Sequence, residues 1–228
     1  MSVTTKTENT RSFTIAPIIP TDKDVVIKFL LKFFFRDEPL NISMELMKEK
    51  DHLLGHIECH YTKLMDNGLA FKAVSPNGDI VGIVLNSLTV RNDNNEEKIE
   101  DENGPDDNTK FKTIGTFLDK VEREADVFTK YPNVDRLIDI KIISVDESCR
   151  GQGICKALID KTKELALENE CNMVYVECSS YYSAKAAERL GFECIYTLYF
   201  RDYVDENGEI IFKTPPPHDS SKVYVLNL

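Results

Sequence analysis

A single segment near the middle of the chain limits the folds that this sequence can adopt. Residues 137–145 form a nearly continuous β-rich run, typical of a buried central strand, which leads through a loop containing Gly151 and Gly153 into an amphipathic helix. Residues 173–178 then predict a further strand. A strand, helix, strand order implies a parallel pair with a right-handed crossover. The sequence therefore predicts an α/β protein with a parallel strand pair beside a glycine loop.

Residue periodicity predicts the other elements of the chain. Strands are predicted at 13–19, 69–74, 80–90, 192–199 and 222–226, with an antiparallel hairpin turning at 76–79. Helices are predicted from a Thr21 cap to a break before Pro39 and from a Ser43 cap to about Asp66. Further helices are predicted over 111–130, 154–169 and 183–190. The sequence contains no internal repeat, so we expect a single mixed α/β domain over 1–228.

Composition and hydropathy indicate a globular protein without a membrane anchor. The chain has 228 residues, of which 42% are hydrophobic, enough for one sizeable core. The longest apolar run, 25–35, contains two lysines and is shorter than the roughly 20 residues that a bilayer span needs. The polar N-terminus, 1–11, lacks a signal-peptide pattern and is expected to be flexible. We therefore expect a cytoplasmic protein that does not bind membranes.

The negative charge of the chain is large and unevenly distributed. Lys and Arg number 28 against 39 Asp and Glu, which gives a formal charge of -11. Residues 92–108 hold eight acids and one lysine and so contribute -7 of that charge. Because duplex binding depends on clustered Lys and Arg, this balance argues against a nucleic-acid partner. We expect 92–108 to be an acidic surface loop; a docking element is the alternative.

Cysteines and histidines predict neither disulfides nor a metal site. The six cysteines include no C-x-x-C pair and the chain has no secretory features, so free thiols are expected. His52, His56 and His60 share one stripe of a predicted helix. Their spacing spreads them over about 12 Å, too far for all three to ligate one ion. We expect no bound metal.

The loop after the central strand has the composition of an anion site. Gly151 and Gly153 would let a ligand approach the backbone, and the start of the next helix adds free N–H groups and the positive end of its dipole. No G-x-x-x-x-G-K-[ST] motif occurs, and Lys156 stands where a dinucleotide fingerprint has its third glycine. The loop therefore predicts a cradle for a diphosphate outside those two nucleotide-binding classes; a simple tight turn is the alternative.

Several motifs in this order resemble one family. Arg150-Gly151-Gln152-Gly153, followed by Cys155 in place of Gly or Ala, resembles the R/Q-x-x-G-x-G/A signature of the GCN5-related N-acetyltransferases, and a Leu-Gly-Phe turn at 190–192 fits the same family. Segments 37–41, 178–184 and 212–218 are similar to segments of insect arylalkylamine N-acetyltransferases, the dopamine N-acetyltransferase group. The resemblance spans nearly the whole chain. It implies a mixed, mostly antiparallel sheet of about seven strands flanked by helices, with a parallel pair at the cofactor site.

The resemblance also implies acetyl-CoA as acetyl donor and the residues that would hold it. Backbone of the central strand at Ile143, Ser144 and Val145 would meet the pantetheine amides through a local break in strand pairing. The diphosphate would bind at Arg150, Gly151, Gln152, Gly153, Ile154, Cys155 and Lys156, and Ser183 would lie near the thioester sulfur. Arg150, Lys156 and Lys185 would supply positive charge, although each is equally well explained as a solvated surface residue.

Acyl transfer to an amine needs a base, because a primary alkylamine with a pKa of about 10.4 is almost fully protonated at neutral pH. The resemblance points to Glu38, whose pKa would also rise if its loop between apolar helices were partly buried. It likewise implicates Ser179 and Ser183, whose hydroxyls could donate a hydrogen bond to the leaving thiolate. Tyr181 and Tyr182 are the second choice of acid. A surface carboxylate and helix-capping serines are the alternatives.

A small primary amine of the dopamine, tyramine, octopamine or serotonin type is the implied acceptor. Asp37, Pro39, Tyr61 and His218 are the predicted substrate-binding residues. We expect a monomer. We also expect direct transfer of the acetyl group to the amine, since no cysteine has an evident partner base that would make it a nucleophile. Two alternatives are an acetyltransferase of the same fold acting on polyamines, histamine or hydrazines, and a non-catalytic acyl-CoA sensor.

Overall fold

The computed structural model describes residues 12–91 and 109–228, and its centre is a seven-stranded sheet. The strands are β1 (Thr14–Pro17), β2 (Phe71–Val74), β3 (Ile80–Val90), β4 (Arg136–Val145), β5 (Met173–Cys178), β6 (Glu193–Tyr199) and β7 (Ser220–Asn227). Their spatial order is β1-β2-β3-β4-β5-β7-β6, and of these neighbours β4 and β5 pair in parallel while the others pair antiparallel. The predicted mixed, mostly antiparallel α/β fold is confirmed.

Eight α-helices accompany the sheet in the described part of the chain. They are α1 (Lys23–Leu30), α2 (Pro39–Ser43), α3 (Lys50–His56), α4 (Thr62–Asp66), α5 (Thr109–Ala125), α6 (Val127–Lys130), α7 (Ile154–Glu168) and α8 (Tyr181–Arg189). Wide π-helical turns, Leu31–Phe35 and Ile57–Tyr61, extend α1 and α3. None of the described helices combines the length and the apolar composition needed to cross a membrane. The predicted flexible N-terminus, 1–11, and acidic loop, 92–108, lie outside the described residues.

Helices cover both faces of the sheet, because alternate side chains of a strand point to opposite faces. On one face, α7 and α8 pack through Leu158 and Ala187 against apolar side chains of β3, β4 and β5. The other face is covered by α1, α3 and α4, with Leu30 among their buried residues, and by α5, which buries Phe117. We call these the α7 face and the α1/α5 face. All six cysteines are free thiols, as predicted.

Two helices differ from their predicted bounds. Thr21 does not cap α1 but lies within a 3-10 turn, Pro20–Asp22, that precedes the helix, because a proline readily starts a helical turn. The helix predicted over 111–130 is divided into α5 and α6 by Asp126, whose φ of 43° is left-handed. Short polar residues such as Asp tolerate this conformation better than most, so the break costs little.

The segment after α1 differs most from its prediction. Ser43 is the last residue of α2 and not a cap; Glu38 occupies the N-cap position, because Pro39 lacks an N–H and suits the first helical position. Left-handed backbone at Glu45, with φ 56°, then ends the helical path. The single helix predicted from Ser43 to Asp66 is therefore a 3-10 turn, α3, a π-turn and α4. This rearrangement turns Glu38 from a loop residue into a helix cap.

Candidate active site

The connection between α1 and α2 places the Glu38 carboxylate beside the end of β5. Glu38 Oε2 accepts a hydrogen bond from the backbone N–H of Asn41 at 2.7 Å, which fixes the side chain as the N-cap of α2. Its Oε1 accepts a hydrogen bond from the hydroxyl of Ser179 at 2.7 Å. Ser179 directly follows β5, so the fold brings together two predicted site residues that are 141 positions apart in the chain.

The surroundings of Glu38 change its acidity. Burial raises the pKa of the Glu38 carboxyl above its usual range, and the hydrogen bonds from Ser179 and from the Asn41 N–H act in the opposite direction. Tyr61 lies within reach of this charge: burial, with the Glu38 charge as a second cause, raises the pKa of Tyr61 to about 12. A carboxylate of raised pKa that is held on both oxygens suits proton acceptance near neutral pH.

The three serines at the start of α8 make different contacts. Ser180 is the helix N-cap, since its hydroxyl accepts from the N–H groups of Tyr182 at 3.1 Å and Ser183 at 3.3 Å. The Ser183 hydroxyl donates to the Ser180 carbonyl at 2.9 Å and also interacts with the buried thiol of Cys178 on the α7 face. Ser179 is the one of the three that bonds to Glu38. The two predicted serines thus face different neighbours.

Backbone geometry opens the loop between β4 and α7. Gly151 and Gly153 have φ values of 79° and 82°, a left-handed conformation that favours glycine. A Cβ at either position would meet no described heavy atom within 4 Å, so the space in front of the loop is open. Within the described chain, the N–H groups of 151–153 have no backbone acceptor. Burial raises the pKa of Cys155 to about 11, so its thiol stays protonated.

The predicted cations near this loop already have partners. Arg150 Nη2 lies 3.9 Å from the carboxylate of Asp37. Lys156 and Lys185 each pair with an acidic residue about one turn along the same helix. Such exposed pairs contribute little to stability and are easily exchanged. The backbone N–H groups and the dipole of α7 are therefore the more strongly placed anion-binding features of the loop.

β4 and β5 separate at the end nearest the glycine loop. They pair only over 138–140 and 174–176, although both strands continue beyond these residues. A register shift between β3 and β4 leaves Lys141 without a partner on β3, which is a β-bulge. The predicted buried central strand is therefore interrupted, with the Lys141 side chain 40% exposed. The result is a gap between two strands in the middle of the sheet.

Backbone donors of β4 point into this gap. Asp146 donates to the Val81 carbonyl on β3, and the alternation of an antiparallel ladder then turns the N–H groups of Ile143 and Val145 away from β3. By the same alternation the backbone of Ser144 faces β3, and its hydroxyl donates to a carbonyl of the turn after α1 at 3.0 Å. Free N–H groups at the loop and in the gap fit an elongated ligand with a diphosphate at one end and amides along its length.

Ion pairs connect the Glu38 segment to the glycine loop. Asp37 is bound by Arg36, whose Nε lies 2.6 Å from Oδ1, and it also faces Arg150. Arg36 Nη2 reaches Glu147, at the start of the loop, at 3.4 Å. Pro39 is buried at the first position of α2. Of the predicted substrate residues, Asp37 and Pro39 thus lie in the segment that holds Glu38.

His218 lies at the N-terminus of α8. Its Nδ1 accepts a hydrogen bond from the Tyr181 N–H at 3.2 Å, and its ring meets that of Tyr182 edge-on with centroids 5.6 Å apart. Burial lowers the pKa of His218, so the ring is neutral at physiological pH. The Tyr181 and Tyr182 side chains, considered above as acids, are exposed. His218 therefore supports the segment that presents the serines.

A group of polar residues on the α1/α5 face is missed by the sequence prediction. We call it the polar cluster: Glu122 of α5, Asp139 and Lys141 of β4, and Tyr175 and Glu177 of β5. Lys141 Nζ lies 2.5 Å from Asp139 Oδ2, and the Ser221 hydroxyl donates to Glu177 at 2.7 Å. Burial raises the pKa of Glu177 to about 8. Polar residues two positions apart within apolar strands are the signal that could have identified the cluster.

Known proteins share both the loop region and the overall fold. Residues 113–192 match the Acetyltransferase (GNAT) family. Arylalkylamine N-acetyltransferase 2 from Aedes aegypti is 30% identical, with a TM-score of 0.77 over 94% of this chain and 98% of that chain. A mosquito arylalkylamine N-acetyltransferase like 5b is 23% identical (TM-score 0.78), and a Drosophila melanogaster polyamine N-acetyltransferase that forms N-acetylagmatine is 23% identical (TM-score 0.74). These last two matches cover 95% of this chain and 100% of theirs and establish likeness of fold alone.

Proposed function

Because this chain belongs to the GNAT acetyltransferase family, within its insect arylalkylamine N-acetyltransferase-like group, and takes its acetyl group from acetyl-CoA, we propose that it acetylates the primary amine of a small arylalkylamine such as dopamine, tyramine, octopamine or serotonin. The observation that carries the proposal is the Glu38–Ser179 hydrogen bond beside the gap between β4 and β5. An amine that attacked a thioester lying in this gap would have a carboxylate of raised pKa beside it. The 30% identity to an arylalkylamine enzyme supports this choice of amine.

Glu38 is the proposed general base. Acetyl-CoA supplies a thioester, to whose carbonyl carbon the amine nitrogen bonds as the carbon–sulfur bond breaks. Glu38 accepts the proton that the ammonium must lose, directly or through water, and its raised pKa brings it closer to the pH at which it works. The Ser179 hydroxyl holds Glu38 Oε1, so Ser179 is a positioning residue for the base.

Ser183 is the proposed donor to the leaving thiolate. Its hydroxyl lies on the side of α8 that faces Cys178 of β5 and the α7 face, whereas the Ser179 hydroxyl donates to Glu38. A hydroxyl that rotates from the Ser180 carbonyl to the sulfur would stabilise the developing negative charge. The N–H groups of Ile143 and Val145, with those of the glycine loop, would hold the pantetheine and the diphosphate.

A substrate panel tests the reaction and the choice of amine. We expect release of coenzyme A thiol from acetyl-CoA to be faster with dopamine or tyramine than with histamine, spermidine, agmatine, hydrazine or a lysine peptide, by about tenfold or more in kcat/KM. Faster turnover of spermidine or agmatine would favour the polyamine alternative. No turnover with any amine, combined with a melting temperature raised by acetyl-CoA, would favour the non-catalytic sensor.

Replacing Ser179 by Ala tests its proposed action on Glu38. The lost hydrogen bond stabilises the ionised carboxylate, so its removal should raise the pKa of Glu38 further. Because the ionised form is the base, the acidic limb of the pH profile of kcat/KM should move to higher pH, with about a tenfold loss of rate at pH 7. The Ser183→Ala variant should lower kcat without moving that limb. An acidic limb that stays in place in Ser179→Ala would contradict the assignment.

A further inference from the structure

We propose that the polar cluster is the distal end of the amine site, where it binds a ring hydroxyl of the substrate, so that this chain selects hydroxylated arylalkylamines over their unsubstituted analogues. The inference rests on the function proposed above and concerns residues other than Glu38, Ser179 and Ser183. Its basis is the placement of the cluster, one buried hydroxyl without a partner, and the mixture of donors and acceptors that the cluster offers.

Strand alternation puts the cluster on the same face as the base. Tyr175 and Glu177 belong to β5 and point to the same face of the sheet. Ser179 comes two residues after Glu177, so its side chain continues this row, and its hydroxyl donates to Glu38. Glu177 is therefore two residues, about 7 Å along the strand, from the residue that contacts the base. An aromatic ring with a two-carbon amine chain separates its amine from its para hydroxyl by a comparable length. One substrate can thus span from Glu38 to the Glu177 end of the cluster, and the long side chain of Tyr175 extends from the next position of that strand face.

Tyr175 supplies the observation that points to a ligand. Its side chain is 5% exposed, and its hydroxyl has no hydrogen-bond partner among the described residues. A buried hydroxyl without a partner costs stability and is rare unless it serves another purpose. Tyr175 is the register partner of Asp139 on β4, and the charges of Glu177, Asp139 and Glu122 act on its hydroxyl, so this hydroxyl lies beside the cluster. A ligand hydroxyl would satisfy it.

The chemistry of the cluster suits a hydroxyl better than a second cation. Lys141 pairs with Asp139 and balances its charge, so this pair offers no net negative charge to an ammonium or guanidinium group. Glu177, with its pKa raised to about 8 mainly by burial, is largely protonated at pH 7 and adds little negative charge. The cluster therefore offers both donors and acceptors, and a hydroxyl is the group that can accept from Tyr175 and donate to a carboxylate.

The test compares tyramine with phenethylamine, which differ only by the ring hydroxyl. For the unaltered protein we expect kcat/KM to be about tenfold or more higher for tyramine. The Tyr175→Phe variant should bring this ratio close to one, by raising KM for tyramine while phenethylamine kinetics stay the same. Removal of an unpaired buried hydroxyl leaves the apolar packing intact, so this variant should fold with an unchanged or higher melting temperature.

Tyr224→Phe is the matched control. Tyr224 is a fully buried tyrosine of β7, but it belongs to the α7 face and its hydroxyl donates to Glu188 at 2.9 Å. This variant should keep the preference for tyramine. Equal turnover of the two amines by the unaltered protein, or an unchanged ratio in Tyr175→Phe, would overturn the hydroxyl site but leave the acetyltransferase proposal intact. Turnover of neither amine would overturn both.

A diamine distinguishes the remaining outcome. If 1,5-diaminopentane is acetylated faster than tyramine, and Glu177→Gln removes that advantage, the cluster binds a cation and the hydroxyl assignment is wrong. We expect the reverse: slow turnover of the diamine, and a preference for tyramine that survives at pH 6, where Glu177 is more fully protonated. The other charged groups that act on Glu177 are Asp139 and Lys141 of β4 and Glu122 of α5.

Discussion

Glu38→Gln should lower kcat/KM for the amine by about 10²- to 10⁴-fold at pH 7, the range for loss of a general base. The amide keeps an oxygen for the Asn41 N–H but cannot accept the proton of the ammonium. The deficit should shrink as pH rises toward the amine pKa of about 10.4, because the free amine then no longer needs a base. Steady-state rates between pH 6 and 10 measure both effects.

Folding and cofactor binding provide the control for this variant. Burial raises the pKa of Glu38 in the folded state above its value in the unfolded chain. At pH values where the unfolded chain is ionised, this carboxyl therefore lowers the free energy of unfolding, and glutamine removes that cost. We therefore expect an unchanged or higher melting temperature and unchanged affinity for coenzyme A. A variant that binds acetyl-CoA normally and keeps full turnover at pH 7 would exclude Glu38 as the base.

Gly153→Ala should weaken acetyl-CoA binding by about 10- to 30-fold. Gly153 has φ 82° and stands at the N-cap of α7, and an added Cβ would project into the open space in front of the loop. An alanine held in the left-handed conformation is strained by about 1–2 kcal/mol. The loop can relieve this strain only by a backbone rotation that turns its N–H groups away from a phosphate, and the strain energy corresponds to the expected loss of affinity. Isothermal titration with coenzyme A measures the change.

Gly78→Ala separates local strain from loss of binding. Gly78 has φ 89° in the turn between β2 and β3 and, like Gly153, would place its Cβ in open space. The two variants should lose similar free energy of unfolding, but Gly78→Ala should bind coenzyme A normally. Equal affinity of Gly153→Ala and the unaltered protein would remove this loop from the diphosphate site.

Local patterns predicted the sheet well and the helices near the site poorly. The strand, loop and helix from Arg136 to Glu168 follow directly from apolar periodicity and two glycines. The α2 region does not, because the choice between Ser43 and Glu38 as a helix cap depends on Pro39 and on left-handed backbone at Glu45. Single-residue conformations of this kind are decided by tertiary contacts, which periodicity does not report.

The candidate site was predicted in part, for a similar reason. Motifs identified Glu38, Ser179 and the glycine loop, and the fold brings the first two within hydrogen-bond distance. The polar cluster escaped prediction because β4 reads as a buried apolar run, and the bulge that exposes Lys141 depends on its pairing with β3. Motifs record which residues a chemistry needs; irregularities in strand pairing decide which other residues reach it.

The short ladder between β4 and β5 also matters mechanically. Three residue pairs form the seam that joins the β1–β4 half of the sheet to the β5–β7 half. A ligand lying in the gap beyond that seam would supply hydrogen bonds that the strands do not make with each other. It would thereby connect the two halves of the sheet. At a hundredfold excess over its Kd, the bound ligand would raise the free energy of unfolding by about 2.7 kcal/mol. The stability of such a protein in a cell would therefore rise and fall with the concentration of its acetyl donor.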